Sequence, residues 1–438
     1  MAERPGTDMP DILRGTATTD FIYGLRGDDL LLGLAGDDTL YGGGGDDTLA
    51  GGAGADFLDG VAGHADTVDY SGDPAGVLVG LAGDGARDGR AVDGWGDVDT
   101  LVHVDVVIGS DHADTLRGGA AAETLEGGAG DDLLSGGAGA DLLRGGAGTD
   151  TALFAGPAGA YLLTIDGAGQ TLAVTDKRPG GDGLDRLEGV EVLRFGAGPA
   201  RPDAPLAADP ASRAHGAGGD RVGPDGTGGD ALLDVRALSG ALAGPAAALR
   251  PLAELYIAYF DRAPDATGLL YWGTRLGAGM TLEEIAASFA VQPEARALRP
   301  EPDDAASLVD AAYANLFERA ADPAGRAYWI DALATGAVGA PQLMLALVNG
   351  AHAATGSAAD RQTLARKADI ALRYAVEEGL TDVGRARDVM AAHDPDAVGQ
   401  GLPVAHALIA RYAAAALAPG TDELVVDLVG FGADLAAG

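Results

Sequence analysis

The apolar positions of the chain fall into two regimes. From Gly15 to Ala152 a large apolar residue returns every nine positions: Ile22, Leu31, Leu40, Leu49, Leu58, then Val68 after one extra residue. The beat resumes at Leu116, Leu125, Leu134 and Leu143 and closes on Ala152. From about residue 245 the spacing becomes helical, with apolar residues three and four apart. The pattern predicts a multi-domain chain, β structure first and helices afterwards.

The nine-residue beat is purest at Gly24–Asp59, which reads GLRGDDLLL, GLAGDDTLY, GGGGDDTLA, GGAGADFLD. Each unit has Gly first and fourth, Asp sixth and an apolar residue eighth. Such a period points to stacked coils. Glycine readily takes the φ > 0 conformations of tight turns. Strand side chains alternate sides, so the eighth residue turns into a narrow core. A six-residue turn and a three-residue strand reverse the chain, and two units therefore predict one coil. Successive turns then stack about 4.8 Å apart.

The sixth-position acids form a column: Asp20, Asp29, Asp38, Asp47, Asp56 and Asp66, then Asp114, Glu123, Asp132, Asp141 and Asp150. Carboxylates and exposed turn carbonyls are the hard oxygen donors that Ca²⁺ takes. Without a cation the column repels itself, which predicts that folding and metal binding are one event. Solvated turn residues need no such register. Unit 118–126 departs from it, with Ala121 for the fourth Gly and Glu123 for Asp, and a weaker or empty site is expected there. His64, His103 and His112 are scattered and read as turn or surface residues.

These units resemble the RTX (haemolysin-type) calcium-binding nonapeptide GGxGxDxUx. The resemblance implies a parallel β-roll that binds several Ca²⁺ ions. Its ligands are the side chains of Asp20, Asp29, Asp38, Asp47, Asp56, Asp66, Asp114, Asp132, Asp141 and Asp150. Turn carbonyls, chiefly of Gly27, Gly36, Gly45, Gly54, Gly130 and Gly139, complete them. It also implies export by type I secretion machinery through an uncleaved C-terminal signal, to a secreted or cell-surface location.

The resulting organisation is a first stack at 15–69, a β bridge at 70–108 and a second stack at 109–153. A β cap follows at 154–198, with a hairpin turning near Asp166–Gly169, because an open sheet edge invites aggregation. The Ala-, Gly-, Pro- and Asp-rich segment 199–248 has a linker composition. An all-α domain is expected at 249–420 and a C-terminal export segment at 421–438. Predicted helices include Pro251–Arg262, Ala266–Leu276, Leu282–Val291, Asp303–Arg319, Ala324–Ala334 and Ala358–Glu378. Thr281 and Glu284 form a capping box.

The helical part repeats itself. Tyr256, Phe260, Arg262, Asp265, Gly268, Tyr271 and Trp272 return as Tyr313, Phe317, Arg319, Asp322, Gly325, Tyr328 and Trp329, always 57 apart (313 − 256 = 57). Such a repeat reads as a packing unit, with Arg and Asp pairing or capping and the aromatics supplying core. Over roughly 250–378 it resembles the family known as domain of unknown function four-two-one-four, which accompanies RTX repeats and has no established activity.

Composition narrows the function. The 438 residues hold 29 basic and 66 acidic side chains, a net charge of −37, which repels nucleic acid and anionic membranes and favours cations. Cys is absent, so disulfides and thiolate metal sites are excluded. No apolar run is long enough to cross a bilayer. Residues 1–15 lack a basic n-region and an apolar h-region, as expected for export without a cleaved signal. There is no HExxH, GxSxG or Walker A motif. Three readings stay open: a non-enzymatic extracellular calcium-binding protein with a surface-association or partner-binding role, an enzyme with an unrecognised site among the helices, and a calcium-dependent adhesin or surface-layer subunit. The first is preferred.

Overall fold

The computed structural model describes residues 2–62, 65–81, 89–166, 172–196, 231–235, 249–298, 304–392, 401–421 and 423–429. Most of the expected linker 199–248, His64, the 167–170 tip of the expected hairpin and 430–438 of the export segment lie outside these residues. The chain divides into two compact units, Met1–Tyr161 with Thr171–Val235, and Leu162–Gln170 with Arg236–Gly438.

The first unit is a parallel β-roll. Asp20–Arg26, Thr39–Gly44 and Phe57–Ala62 pair in parallel in one sheet. Leu30–Ala35, Thr48–Ala53 and Thr67–Asp69 do the same in the other. Phe21 lies beside Thr39 and Leu30 beside Thr48, a step of 18 residues (39 − 21 = 18), so two units make one coil. Each eighth-position residue, from Ile22 to Ala152, is at most 1% exposed. The strands are longer than the three residues expected, six in Thr39–Gly44. Pairing resumes beyond the first glycine of the next unit, at Leu25 with Gly43 and Arg26 with Gly44, which satisfies backbone groups the turn would leave bare.

The bridge belongs to the roll. Val98–Val102 pairs in parallel with Phe57–Ala62, and Val106–Ile108 lies in parallel between Thr67–Asp69 and Thr124–Ala129. The second sheet therefore passes through the bridge unbroken. In the first sheet an antiparallel pair, Leu78–Gly80 and Gly89–Val92, is spliced between Val98–Val102 and Thr115–Arg117.

Segment 154–198 contains the strands expected of a cap, and two of them add a coil. Leu184–Glu188 pairs in parallel with Leu142–Ala147, and Val192–Phe195 with Thr151–Phe154. Antiparallel strands flank this coil, Leu172–Asp176 on one sheet and Ala231–Asp234 on the other. Phe154, Tyr161 and Phe195 meet with ring centroids 5.1 to 5.4 Å apart and fill the core where the leucine column stops.

The second unit is mainly helical. The repeat is two matching helix pairs, Arg250–Phe260 with Ala266–Gly277 and Ala305–Phe317 with Pro323–Ala334. Asp261 and Glu318 end the leading helix of each pair in left-handed conformation, at φ 48° and 54°. Asp265 and Asp322 cap the helices that follow, accepting from the N–H of Gly268 and Gly325 at 2.7 and 2.8 Å. The copies then diverge. Trp272 packs edge-on against Phe289 at 5.2 Å, whereas the position 57 residues beyond Phe289 is Ala346. Tyr271 and Tyr328, expected to supply core, are both exposed, at 37% and 64%, each edge-on to the tryptophan that follows it.

Several elements were not expected, among them the strands Ala2–Pro5 and Ile12–Arg14 ahead of the first stack and Ala231–Asp234 inside the segment read as a linker. Pro293–Ala297 is a short helix, and Val425–Val429, inside the segment read as an export signal, is a strand paired in parallel with Leu162–Asp166. The helical unit thus carries a strand pair.

Candidate metal centre

The turns of successive coils lie over one another, and their sixth-position acids are linked. The backbone N–H of Asp20 donates to Asp38 Oδ1, that of Asp38 to Asp56 Oδ1, and that of Asp56 to Asp99 Oδ1. On the other edge Asp11 donates to Asp29, Asp29 to Asp47, Asp47 to Asp66 and Asp66 to Asp105. The second stack repeats this: Asp114 to Asp132 to Asp150 to Glu191, and Glu123 to Asp141 to Asp185. These bonds are 2.7 to 3.2 Å long. Each acid that accepts such a bond thereby spends one carboxylate oxygen on joining coils.

The other oxygen carries the chemistry. The Oδ2 atoms of Asp29, Asp38, Asp47, Asp56, Asp132, Asp141 and Asp150, and Oε2 of Glu123, are buried and meet no donor. Unmatched buried carboxylate oxygens are costly. Burial pushes Asp38 up to about 6, Asp132 to about 7 and Asp56 to about 8, and neighbouring carboxylates of the column add to the rise. Asp29, Asp47 and Asp141 are raised for the same first reason. Asp114 differs: Ser110 donates both its N–H and its hydroxyl to it, at 2.6 and 2.8 Å. Thr16 likewise donates its N–H and hydroxyl to Asp20 Oδ2. Asp66 is buried in the same row.

The fourth-position glycines supply carbonyls beside these acids. Gly27, Gly36, Gly45, Gly54, Gly130 and Gly139 all have φ between 107° and 145°. A Cβ on Gly45 would fall 2.2 Å from the Gly27 carbonyl oxygen, one on Gly54 2.4 Å from that of Gly36, and one on Gly148 1.7 Å from that of Gly130. Each such carbonyl therefore faces the turn of the next coil, and only glycine fits above it. Among the described residues no three His, Asp or Glu side chains cluster closely enough to hold an ion by themselves. An ion held here would need carbonyls as well as carboxylates, the mixed hard-oxygen shell that suits Ca²⁺. The donor set and its unmatched oxygens fit that cation.

Sequence reading missed five members of the column: Asp11, Asp99, Asp105, Asp185 and Glu191. The signal was present for three. Gly6–Arg14, Gly94–Val102 and Gly180–Glu188 each carry a sixth-position Asp and an eighth-position Leu. It also passed over the fifth-position acids. Asp28, Asp37 and Asp131 accept from the N–H groups of Asp46, Ala55 and Thr149 in the next coil at 2.8 to 3.1 Å. His103 Nδ1 meets Asp59 at 2.8 Å on the surface.

The paired residues of the helical unit form no open constellation. Arg262 is 3% exposed, spans Glu294 with two nitrogens at 2.8 and 3.1 Å, and lies 3.5 Å from Asp265. Arg319 holds Asp360 in the same way at 2.8 and 2.6 Å. Each guanidinium also stacks on the first tyrosine of its copy, 5.3 Å over Tyr256 and 5.1 Å over Tyr313. Among the described residues no helix is long and apolar enough to cross a membrane.

Sequence-family models match both halves. The RTX calcium-binding nonapeptide repeat matches in four copies, at residues 5–40, 32–64, 104–122 and 117–152. The Domain of unknown function (DUF4214) matches at residues 302–355, which holds the second copy of the helical repeat but not the first. No curated protein sequence matches the chain. Among solved structures the extracellular lipase LipA from Serratia marcescens matches at 18% identity over 42% of this chain. The chain spans only 38% of that lipase, and the TM-score of 0.14 gives the likeness no weight in the argument. RTX nonapeptide repeats bind calcium, several ions to a repeat region. The chain carries RTX calcium-binding nonapeptide repeats in its first half and, in its second, a domain of unknown function (DUF4214).

Proposed function

We propose that this is an extracellular calcium-binding protein, exported by type I secretion and folded by calcium outside the cell. The observation that carries the reading is the column of buried carboxylates whose second oxygens meet no donor. On this reading Asp20, Asp29, Asp38, Asp47, Asp56, Asp66, Asp114, Asp132, Asp141 and Asp150 hold the ions with the carbonyls of Gly27, Gly36, Gly45, Gly54, Gly130 and Gly139. Bound calcium supplies the positive charge that lets these groups lie together dry. Inside the cell, where calcium is scarce, the column repels itself and the chain stays threadable. Outside, calcium at about 10⁻⁴–10⁻³ M matches the affinity of extracellular modules.

The role is non-catalytic, in association with a surface or a partner. Arg262, Asp265, Arg319 and Asp322, the groups an enzyme reading would need, are engaged in packing and capping. The exposed Tyr328 on the second helix pair supports an association role for that unit. Circular dichroism in calcium and in chelator tests the calcium reading: the β signal should collapse on chelation and return with calcium. A β signal indifferent to chelator overturns it. Sedimentation with and without calcium tests self-association, which would make the protein a surface-layer or adhesin subunit.

A further inference from the structure

The repeat register does not end where the contiguous repeats end. Gly180-Gly181-Asp182-Gly183-Leu184-Asp185-Arg186-Leu187-Glu188 has Gly first and fourth, Asp sixth and Leu eighth, 27 residues beyond the last unit at 153 (180 − 153 = 27). The intervening chain is an insertion, and the coil closes across it. Leu187 lies beside Leu143 and is 2% exposed, in the place of an eighth-position core residue.

From its fourth position on, the turn Gly180–Asp185 sits on the turn Gly136–Asp141 as one repeat sits on another, while a Cβ on Gly181 would meet Asp176 instead. Asp141 donates its N–H to Asp185 Oδ1 at 3.2 Å. Gly183 has φ 93°, and a Cβ there would fall 1.8 Å from the Gly139 carbonyl oxygen, the contact that Gly54 makes with Gly36. That carbonyl also accepts from Leu184 N–H at 3.0 Å, which leaves its second lone pair free. Asp141 and Asp185 are each 2% exposed. Asp141 Oδ2 meets no donor, as Asp38 Oδ2 does not inside the contiguous repeats. Asp182 is otherwise engaged, by the Tyr161 hydroxyl and by Ala155 N–H at 2.8 Å.

We propose that Asp141 and Asp185, with the Gly139 carbonyl, form a further divalent-cation site, built from residues 44 apart and taking calcium. The site rests on the reading of the repeats as calcium-binding and extends it beyond every contiguous unit. Its consequence is mechanical: an ion there staples the chain on both sides of the insertion. Glu191, which accepts from Asp150 N–H at 2.8 Å, is a different case. Only Gly189 and Val190 stand between Glu188 and Glu191, too short a turn to offer a fourth-position carbonyl.

Native mass spectrometry of the full chain in calcium, with Asp185→Asn and Asp38→Asn beside the wild type, tests the site. Asparagine keeps an oxygen to accept Asp141 N–H but removes the charge. Asp185→Asn should bind one ion fewer than the wild type and retain the others. If Asp38→Asn loses an ion and Asp185→Asn loses none, the site is overturned while the repeat reading stands. If the wild type binds no calcium, the repeat reading itself fails. Should Asp185→Asn not fold, wild-type crystals grown with terbium in place of calcium decide. An anomalous peak between Asp141 and Asp185 supports the site, and peaks confined to the contiguous repeats overturn it.

Discussion

Asp20 donates its backbone N–H to Asp38 Oδ1 at 2.7 Å, while Asp38 Oδ2, buried, meets no donor. The carboxylate thus does two jobs with two oxygens. One ties adjacent coils together whether or not metal is present, and the other is stable only beside a cation or when protonated. Asp38→Asn separates them, because the amide oxygen can still accept from Asp20 but the charge is gone. In saturating calcium the variant should unfold more easily; a site held at 100 times its Kd contributes about 2.7 kcal/mol. In chelator it should match or exceed the wild type, since one of several mutually repelling charges is removed. Thermal melts in the two conditions read this directly. An equal loss in both would assign Asp38 a purely structural role.

The pH dependence of the calcium-free protein follows from the same oxygens. Unfolded aspartates titrate near 3.9, whereas burial lifts Asp38 and Asp150 to about 6, Asp132 to about 7 and Asp56 to about 8 in the fold. A raised acid favours the folded state when protonated. That contribution is complete below about pH 4 and is lost as pH climbs through roughly 6 to 8. Calcium-free protein should therefore melt higher at pH 5 than at pH 8. Calcium needs the ionised groups, so its half-saturating concentration should fall over the same window. A melting temperature of calcium-free protein that rises from pH 5 to pH 8 would count against these carboxylates dominating.

The contiguous repeats and the 57-residue helical repeat were legible because each residue's neighbours in space recur at a fixed distance in sequence. Asp99 and Asp185 were hidden for the opposite reason. Their neighbours Asp56 and Asp141 lie 43 and 44 residues back, across insertions that break the beat although the nine-residue motif survives. Asp105 and Glu191 could not be found by motif, since their turns are shortened and only the acid and the apolar residue two places on remain. The edge-on packing of Trp272 on Phe289 was equally out of reach. It depends on Phe289 against Ala346, residues outside the shared motif.

Second-position residues of the repeat give a test of the turn. Leu34 holds φ 85° where its counterpart one coil on, Gly52, holds φ 90°. A left-handed side chain costs about 1–2 kcal/mol, partly offset by glycine's larger loss of freedom on folding. Leu34→Gly should therefore stabilise the roll slightly, by up to about 1 kcal/mol. Gly52→Ala should destabilise it by more, because its Cβ would lie 2.2 Å from the Leu34 carbonyl oxygen as well as in a left-handed conformation. Urea titrations in calcium give both signs, and a stabilised Gly52→Ala would refute this account of the stacked turns.

The two copies of the helical repeat offer matched substitutions in unmatched surroundings. Arg262 and Arg319 make the same bonds: a two-nitrogen grip on an acid, a neighbouring carbonyl, and a stack on tyrosine. Their surroundings differ, with side chains 3% and 38% exposed. Removing Arg262 strands the buried Asp265, 1% exposed and 3.5 Å away, at about 3–5 kcal/mol, while Glu294 keeps Arg387. Arg319 is partly solvated, so its grip on Asp360, whose side chain is 10% exposed, is partly screened and holds less. Arg262→Ala should accordingly destabilise the helical unit several times more than Arg319→Ala. Helical ellipticity followed through urea unfolding measures the difference. Equal losses would mean that the stack on tyrosine, common to both copies, carries the energy rather than the buried ion pair.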